Sequence, residues 1–465
     1  MGRVERVRRE RLGVAEHDAR RTSHRSILAV PARHVGCTLD RVGLGGALKR
    51  GFVAVGSRRG RLSVGQRLIA GLAAVAVAIG LALFFWERAE EKVQFRLQTE
   101  IPSSGEAFDV ALFQSLGARV RPGHEVSLVP NGGVFDRIAE DIRRAKASVH
   151  VDVFIWQKGK ASDLLLDAID HRAPGVVCRV LVDDIGSPHF TEDIAPRLLR
   201  AGCEARRFRP KPGGGDALAR NHRKLVVIDG RVAFTGGFGV RDEWLGDGVT
   251  DEGWRDENVR FTGPSVIDAQ QAIAENWQEA GGALFPASAF PLDVEDGRGP
   301  DPTPLGTARA AFVKSTASPV LSNAERLVQL LFRAAKKRLW IANAYFVPSD
   351  EISDLVKEQA KKGVDVRILF PGKHSDSRVS MGSQHVSYGS LTKHGIRVFE
   401  WQPSMMHAKT IVLDDEVGVV GSINLEPLSF EKLEEDALVV RDRELNEAMA
   451  RSFEADCTHA REIER

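Results

Sequence analysis

The fold is decided by the run HRKLVVIDGRVAFTGG at residues 222–237, which returns as HAKTIVLDDEVGVVGS at residues 407–422. Both runs read His, any residue, Lys, four residues, Asp, six residues, then Gly followed by Gly or Ser. The offset between the two copies is 185 residues at every one of these positions. One such motif can arise by chance, but two in register predict a duplicated structural unit.

Each copy places a histidine two residues before a lysine, His222 with Lys224 and His407 with Lys409. Residues two apart on a strand point to the same face, so each pair is expected to emerge together. A neutral imidazole can take a proton or act as a nucleophile, and an ammonium group suits a phosphate oxygen. Two such sets predict a phosphodiester site with one histidine to attack and one to protonate the leaving oxygen.

The remaining motif positions supply small or polar side chains around the same anion. Gly237, Ser422 and Asn424 are candidate phosphate-binding residues because they permit close approach and offer hydrogen-bond donors. Asp229 and Asp414 are counted with the catalytic motifs, although an aspartate is equally at home in a tight turn at the end of a strand.

The sequence around these motifs repeats as well. The strand-like runs at residues 145–156 and 335–346 each follow an amphipathic helical segment, and GV-initiated strands follow at residues 175–182 and 363–370. Strands that alternate with helical stretches indicate βαβ crossovers. We therefore predict an α/β protein with two lobes related by a pseudo-two-fold duplication, each a mostly parallel sheet flanked by helices.

The chain divides into six predicted segments. They are a basic N-terminal segment (1–67), a transmembrane helix (68–86), a connector (87–107), the first lobe (108–284), a Pro- and Gly-rich linker (285–307) and the second lobe (308–465).

The composition fits this division. The 465 residues are 43% hydrophobic and 28% charged, enough apolar mass for two cores. The 65 basic and 63 acidic residues leave a net charge of +2, which argues against a nucleic-acid-binding protein. The four cysteines show no CxxC spacing, so neither a zinc site nor a disulfide framework is expected, and no histidine shows metal-ligand spacing.

Residues 68–86 (LIAGLAAVAVAIGLALFFW) contain no charge and as a helix would reach about 28 Å, enough to cross a bilayer core. The alternative is a buried apolar helix. Sixteen Lys or Arg against five Asp or Glu precede this run. The positive-inside rule therefore predicts a cytoplasmic N-terminus, with the lobes on the opposite side of the membrane.

These motifs resemble those of the phospholipase D superfamily, whose signature is the duplicated HxKx4Dx6G(G/S)xN, and more closely those of the bacterial cardiolipin synthases. The likeness covers roughly residues 122–457 and includes WRDENVRFTGP from Trp254 and the run HAKTIVLDDEVGVVGSINLEPLSF from His407. It implies a phosphohistidine intermediate, no cofactor and no metal.

The resemblance also implies roles for individual residues. His222 would be the nucleophile and His407 the general acid. Asp256 and Glu435 would each stand behind a motif histidine and orient its imidazole.

The sequence departs from the family pattern at three positions. Gly239 stands where the first motif's Asn is expected, Leu428 replaces a usual Arg, and Leu433 replaces a common Asn. These changes leave the acceptor and the rate open.

Three functions remain open from the sequence. The first is a single-pass inner-membrane phosphatidyltransferase that makes cardiolipin and glycerol from two phosphatidylglycerols. The second is a hydrolase, of phospholipids or less favourably of nucleic acid, and the third is a membrane-tethered binding protein without activity. Phosphatidylglycerol and other anionic phospholipids are the expected partners, and the sequence does not indicate an oligomeric state.

Overall fold

The computed structural model describes residues 96–97, 99–210, 218–250, 253–291, 306–318 and 321–464, with isolated positions 65 and 75. The chain from Ala82 to Arg465 forms one compact unit. Apart from the two isolated positions, the predicted basic segment and transmembrane helix lie outside the described residues. None of the described helices is long and apolar enough to span a membrane.

Ten α-helices occur in the part of the chain that the structure describes. They are α1 (Gly105–Leu116), α2 (Gly133–Arg144), α3 (Lys160–Asp170), α4 (Ala195–Arg200), α5 (Val266–Glu279), α6 (Asn323–Ala334), α7 (Asp350–Lys361), α8 (Arg378–Lys393), α9 (Pro427–Glu431) and α10 (Arg443–Thr458). Shorter turns are a π-helical turn at Phe190–Ile194 and 3-10 turns at Asp242–Trp244 and Ala287–Ala289.

Local sequence explains where these helices begin and which face they bury. The Ser322 hydroxyl accepts the backbone N–H of Glu325 at the start of α6, which is the capping arrangement that Ser three residues before Glu favours. Helix α2 buries Phe135, Ile138 and Ile142 at helical spacing. That spacing presses one apolar face of α2 onto the first sheet.

Seventeen strands form two sheets among the described residues. The strands are β1 (Arg121–His124), β2 (Val126–Pro130), β3 (Ser148–Val153), β4 (Val177–Asp183), β5 (Glu204–Phe208), β6 (Arg220–Asn221), β7 (Lys224–Ile228), β8 (Val232–Gly236), β9 (Glu257–Thr262), β10 (Ala308–Ser315), β11 (Arg338–Asn343), β12 (Asp365–Pro371), β13 (Arg397–Trp401), β14 (Lys409–Leu413), β15 (Val417–Gly421), β16 (Leu433–Arg441) and β17 (Ala460–Glu462).

The predicted duplication is visible in the strand order. The first sheet runs β2-β9-β8-β7-β3-β4-β5, and the second contains the matching series β10-β16-β15-β14-β11-β12-β13. The second sheet is extended by β1 and β17 at its edges and by β6, which pairs with β16. Strand β1 and most of helix α1 fall within the range predicted for the first lobe, yet β1 pairs with β10 and α1 packs into the core of the second sheet.

The prediction of mostly parallel sheets is wrong. Parallel pairing among the described strands is confined to β3-β4-β5, β11-β12-β13 and the short β6–β16 pair. The motif strands instead form hairpins, β7 with β8 and β14 with β15, around turns at Asp229 and Asp414. Strands joined by so short a turn are antiparallel, so the mixed sheets follow from the same turn residues that the motif contains.

The two sheets share an apolar core. Side chains from both, including Leu225 and Phe261 of the first sheet and Phe312 and Leu438 of the second, belong to one buried cluster. Two further clusters lie between the sheets and the surrounding helices. Because burying one such side chain contributes roughly 1.5–3 kcal/mol, the shared core fixes how the motif strands face each other.

A disulfide joins Cys178 on β4 to Cys203, the residue before β5, with the two Cα atoms 4.5 Å apart. The sequence predicted no disulfide framework, and the structure shows this one disulfide. Cys178 lies on β4 and Cys203 directly precedes the parallel strand β5, a proximity that their separation of 25 residues in the chain did not reveal.

Candidate active site

The two motif histidines are held by backbone hydrogen bonds from the opposite half of the chain. The His222 N–H donates to the Glu434 carbonyl at 2.9 Å, next to the short β6–β16 pair. The His407 N–H donates to the Arg255 carbonyl at 2.7 Å. Each histidine therefore sits where one repeat meets the other.

Each imidazole also lies beside a carboxylate from the opposite repeat. His222 Nδ1 lies 3.0 Å from both carboxylate oxygens of Glu435, and His407 Nδ1 lies 3.1 Å from Asp256 Oδ2. Both carboxylates are fully buried. The family resemblance predicted that Asp256 and Glu435 each contact a motif histidine. In the structure, each of these carboxylates contacts the histidine of the other repeat.

Glu435 is held by hydroxyl groups. Ser422 Oγ donates to it at 2.5 Å and Ser429 Oγ at 2.7 Å. The candidate phosphate ligand Ser422 thus also fixes the carboxylate behind His222.

Asp256 is held by nitrogen donors instead. The Trp244 indole N–H and the Glu257 backbone N–H each donate to it at 2.8 Å. A Cβ at Gly237 would come within 2.4 Å of this carboxylate. Gly237 therefore makes room for Asp256, and only a residue without a side chain fits there.

The two lysines are buried beside their histidines. Lys224 Nζ donates to the His222 carbonyl at 2.6 Å, and Lys409 Nζ donates to the His407 carbonyl at 2.6 Å. Burial lowers the pKa of Lys224 to about 8 and that of Lys409 to about 7. An anionic phosphate beside them would favour their charged forms.

Burial also lowers the pKa of both histidines well below the usual value, and the neighbouring lysine charges lower it further. The His222 imidazole is thus neutral, with a lone pair available for attack, and an anionic phosphate bound beside the histidines would favour the protonated form of His407. Burial raises the pKa of Glu435 to about 7 and that of Asp256 to about 6. These carboxylates stabilise an imidazolium when one forms.

Both histidines line a single cavity of about 340 Å³. Its apolar lining consists of Phe154, Ile155, Ile185, Leu218, Trp244, Trp254, Leu428 and Leu433. Its polar lining, besides the two histidines, consists of Arg220, Lys224, Arg241, Tyr345, Asp376, Asn424 and Glu426. Mixed walls of this kind suit a molecule with a charged group and apolar chains.

Asn424 and Gly239 occupy equivalent positions of the two motifs but differ in function. The buried Asn424 Oδ1 has no hydrogen-bond partner among the described residues, so this amide is available to a ligand. A Cβ at Gly239 would lie 3.1 Å from the Trp244 ring. The missing first Asn is therefore replaced by an indole that also holds Asp256.

Asp229 and Asp414 are not at this site, which corrects their assignment as catalytic residues. Each follows a five-residue strand, so it lies about 17 Å from the motif lysine. Asp229 accepts the backbone N–H groups of residues 146–148, and Asp414 accepts those of residues 336–338. Both adopt positive φ, as a tight turn requires. Their function is to fix the hairpin turn against the start of the neighbouring strand.

The sequence reasoning missed several cavity residues. Asp376 lies outside the runs that carry the family resemblance, and no sequence signal identified it. Those runs do contain Arg241 and Trp244 (220–244), Tyr345 (345–350) and Glu426 (401–430), but no role was predicted for these four residues.

A duplicated α/β frame that closes two His-Lys sets over one cavity defines a phospholipase D-type enzyme. The sequence model of the family described as "Cardiolipin synthase, PLD-like domain" matches residues 138–245 and 328–457. The chain is 31% identical to cardiolipin synthase 1 of Bacillus anthracis over 344 residues, 72% of this chain and 67% of that protein. It is 31% identical to a cardiolipin synthase A of Pseudomonas putida, over 73% of this chain and 69% of that protein.

The fold is similar to that of phosphatidylserine synthase from Haemophilus influenzae, with a TM-score of 0.56 at 14% identity over 76% of this chain and 92% of that one. The chain belongs to the cardiolipin synthase family of PLD-like proteins. It is a phosphatidyltransferase of the phospholipase D superfamily.

Proposed function

We propose that this protein is a membrane-anchored phosphatidyltransferase that converts two phosphatidylglycerol molecules to cardiolipin and glycerol. The observation that carries the proposal is that His222 and His407 line one cavity, each with Nδ1 on a buried carboxylate of the opposite repeat. The relatives named as cardiolipin synthases support the choice of product.

In the first displacement, Nε2 of His222 attacks the phosphorus of one phosphatidylglycerol. The P–O bond to the head-group glycerol breaks, and His407 gives that oxygen a proton as it leaves. The products are free glycerol and a phosphatidyl group on Nε2 of His222. Glu435 stabilises the positive charge that the attack creates on the imidazole.

In the second displacement, His407 takes the proton from a terminal hydroxyl of another phosphatidylglycerol. The hydroxyl oxygen attacks the phosphorus, the P–N bond to His222 breaks, and cardiolipin forms. Water in place of the alcohol would give phosphatidic acid.

The phosphate oxygens would be held by Lys224 and Lys409, with Asn424 as a further partner. Ser422 acts through Glu435, to which its hydroxyl donates. Gly237 contributes by making room for Asp256.

Apolar side chains at the cavity support a lipid substrate. Ile185 and Leu218 line it and are each 57% exposed, and Leu428 and Leu433 replace polar residues of the family pattern there. An exposed apolar rim around a phosphate site suits a diacyl phospholipid better than a polar substrate.

We further propose that residues 68–86 anchor the protein in the inner membrane as a single span, with the repeat units 108–284 and 308–465 on the non-cytoplasmic side. The disulfide between Cys178 and Cys203 supports this side, because disulfides persist in oxidising compartments. Labelling of accessible thiols in intact cells, with and without reductant, would test it.

The reaction is tested by incubating the purified full-length protein with phosphatidylglycerol vesicles in the presence of a chelator. Cardiolipin and glycerol in equal amounts are expected. Phosphatidic acid as the only lipid product would identify a hydrolase, and the absence of turnover would indicate a binding protein.

A further inference from the structure

One polar wall of the cavity takes no part in making or breaking bonds in the two displacements. It contains Arg241, Tyr345, Asp376 and Glu426, which we call the acceptor wall. The Tyr345 hydroxyl donates to Asp376 at 2.8 Å, and the charges of Arg241 and Glu426 both act on that hydroxyl. The four side chains therefore form one group, although they come from both repeats.

Glu426 differs from the other carboxylates around the cavity. It immediately precedes Pro427, the first residue of α9, and is partly buried. No described residue donates a hydrogen bond to its carboxylate or forms an ion pair with it. Asp376 is engaged by Tyr345, Glu435 by two serines and Asp256 by Trp244.

The position of Glu426 links it to the chemistry. Burial raises the pKa of its carboxyl group to about 7, and the charges of Glu435 and Lys409 act on it in opposite directions. Leu428, two residues further on, also lines the cavity. Because it replaces the Arg of the family pattern, no positive charge is present at this position. Glu426 is thus a hydrogen-bond acceptor without a partner, beside the groups that hold the phosphate.

We propose that Glu426 determines specificity by accepting a hydrogen bond from the second, non-reacting hydroxyl of the acceptor alcohol. This inference rests on the proposed function, in which an alcohol attacks the phosphatidyl-His222 intermediate. In its ionised form the Glu426 carboxylate can only accept a hydrogen bond, so a distal hydroxyl satisfies it and a distal methyl group leaves it unpaired.

A distal ammonium group is the competing ligand for a carboxylate, and the charge balance of the cavity disfavours it. Three cationic side chains line the cavity, and of the two carboxylates there, Asp376 already accepts from Tyr345. The cationic side chains are Arg220, Lys224 and Arg241. A neutral polyol avoids the repulsion that an ammonium group would meet.

The test uses three acceptor alcohols of equal chain length that differ only at the far end: 1-propanol, 1,3-propanediol and 3-amino-1-propanol. The full-length protein is given phosphatidylglycerol vesicles as donor and pairs of acceptors in one reaction, and the phosphatidyl esters are counted by mass spectrometry. Since each ratio is measured within one reaction, the fraction of folded enzyme cancels.

For the wild-type protein we expect the 1,3-propanediol ester to exceed the 1-propanol ester about tenfold and the 3-amino-1-propanol ester by more. Glu426→Ala lowers the diol preference at least fivefold, and Glu426→Gln lowers it less. The control Glu447→Gln, an exposed glutamate on α10, keeps the wild-type ratio.

An unchanged diol preference in Glu426→Ala, no diol preference in the wild type, or a preference for the amino alcohol would each overturn the inference while leaving the proposed function standing. A wild-type protein that forms phosphatidic acid and no phosphatidyl ester would instead overturn the proposed function, and this inference with it.

Discussion

The two halves of the site share a backbone frame but surround their histidines differently. His222 faces Glu435, which is held by the hydroxyls of Ser422 and Ser429. His407 faces the shorter Asp256, and the two aromatic rings of Trp244 and Trp254 lie with their centroids 5.1 Å from its imidazole.

This difference shows how a duplicated fold can divide two chemical tasks. The longer carboxylate, with both oxygens 3.0 Å from His222 Nδ1, is well placed to stabilise the lasting positive charge of a phosphohistidine. His407 lies against the rings of Trp244 and Trp254, whereas His222 lies against the ring of Phe154, with 5.2 Å between the centroids. The longer carboxylate at His222 supports our proposal that His222 is the nucleophile and His407 the general acid and base.

The largest effect is expected when either imidazole is removed. His222→Ala and His407→Ala should each lower cardiolipin formation by about 10⁴-fold or more, because one removes the nucleophile and the other the proton donor. The rate of glycerol release from phosphatidylglycerol measures both. Substantial activity in either variant would break the two-histidine comparison.

The carboxylates should matter less than the imidazoles. Glu435→Gln and Asp256→Asn are expected to lower kcat by about 10²-fold with little change in KM, since each keeps its shape but loses the charge that orients and stabilises an imidazolium. Steady-state kinetics on mixed micelles would show this. If only KM changed, these residues would act in substrate binding instead.

The alkaline limb of the pH profile should depend on Lys409, whose pKa burial lowers to about 7. As pH rises through that value the side chain loses its charge, so kcat/KM for phosphatidylglycerol should fall. An arginine stays charged, so Lys409→Arg should lower activity about tenfold but move the limb towards pH 8, where Lys224 loses its charge. A limb that stays in place would exclude Lys409 as its cause.

The smallest effect on chemistry is expected at the turn residues. Asp229→Asn and Asp414→Asn should lower the free energy of unfolding by about 1–2 kcal/mol, because three backbone N–H groups lose a charged acceptor. Asparagine tolerates the positive φ at these positions, so the charge is the main change. Chemical denaturation measures stability, and activity per folded molecule should stay within about threefold. A much larger loss of activity would restore these residues to the catalytic set.

The sequence predicted the repeat and the pairing of His with Lys because both depend on local spacing, and the structure brings those four side chains to one place. The sequence could not predict that Glu435 contacts His222 and Asp256 contacts His407, because these contacts depend on how the two sheets pack. Asp229 and Asp414 were misassigned because the motif spacing alone does not show that they lie at the far end of the strand, away from the site.

Other features depended on contacts between distant segments. The disulfide between Cys178 and Cys203 follows from parallel pairing of β4 with β5, which no cysteine motif indicated. The antiparallel hairpins were not predicted because the alternation of helices and strands elsewhere in each repeat indicated parallel βαβ units. Glu426 and Asp376 reach the cavity from loops, where neither repeat nor periodicity marks them.

The most direct test of the shared two-histidine site is to trap the covalent intermediate. The wild-type protein is mixed with phosphatidylglycerol and quenched during turnover in alkaline detergent, where phosphohistidine survives, and the peptides are mapped by mass spectrometry. The phosphatidyl group is expected on His222 and absent in His222→Ala. A label on another residue, or cardiolipin formation by the wild type with no labelled histidine at any time, would contradict the account.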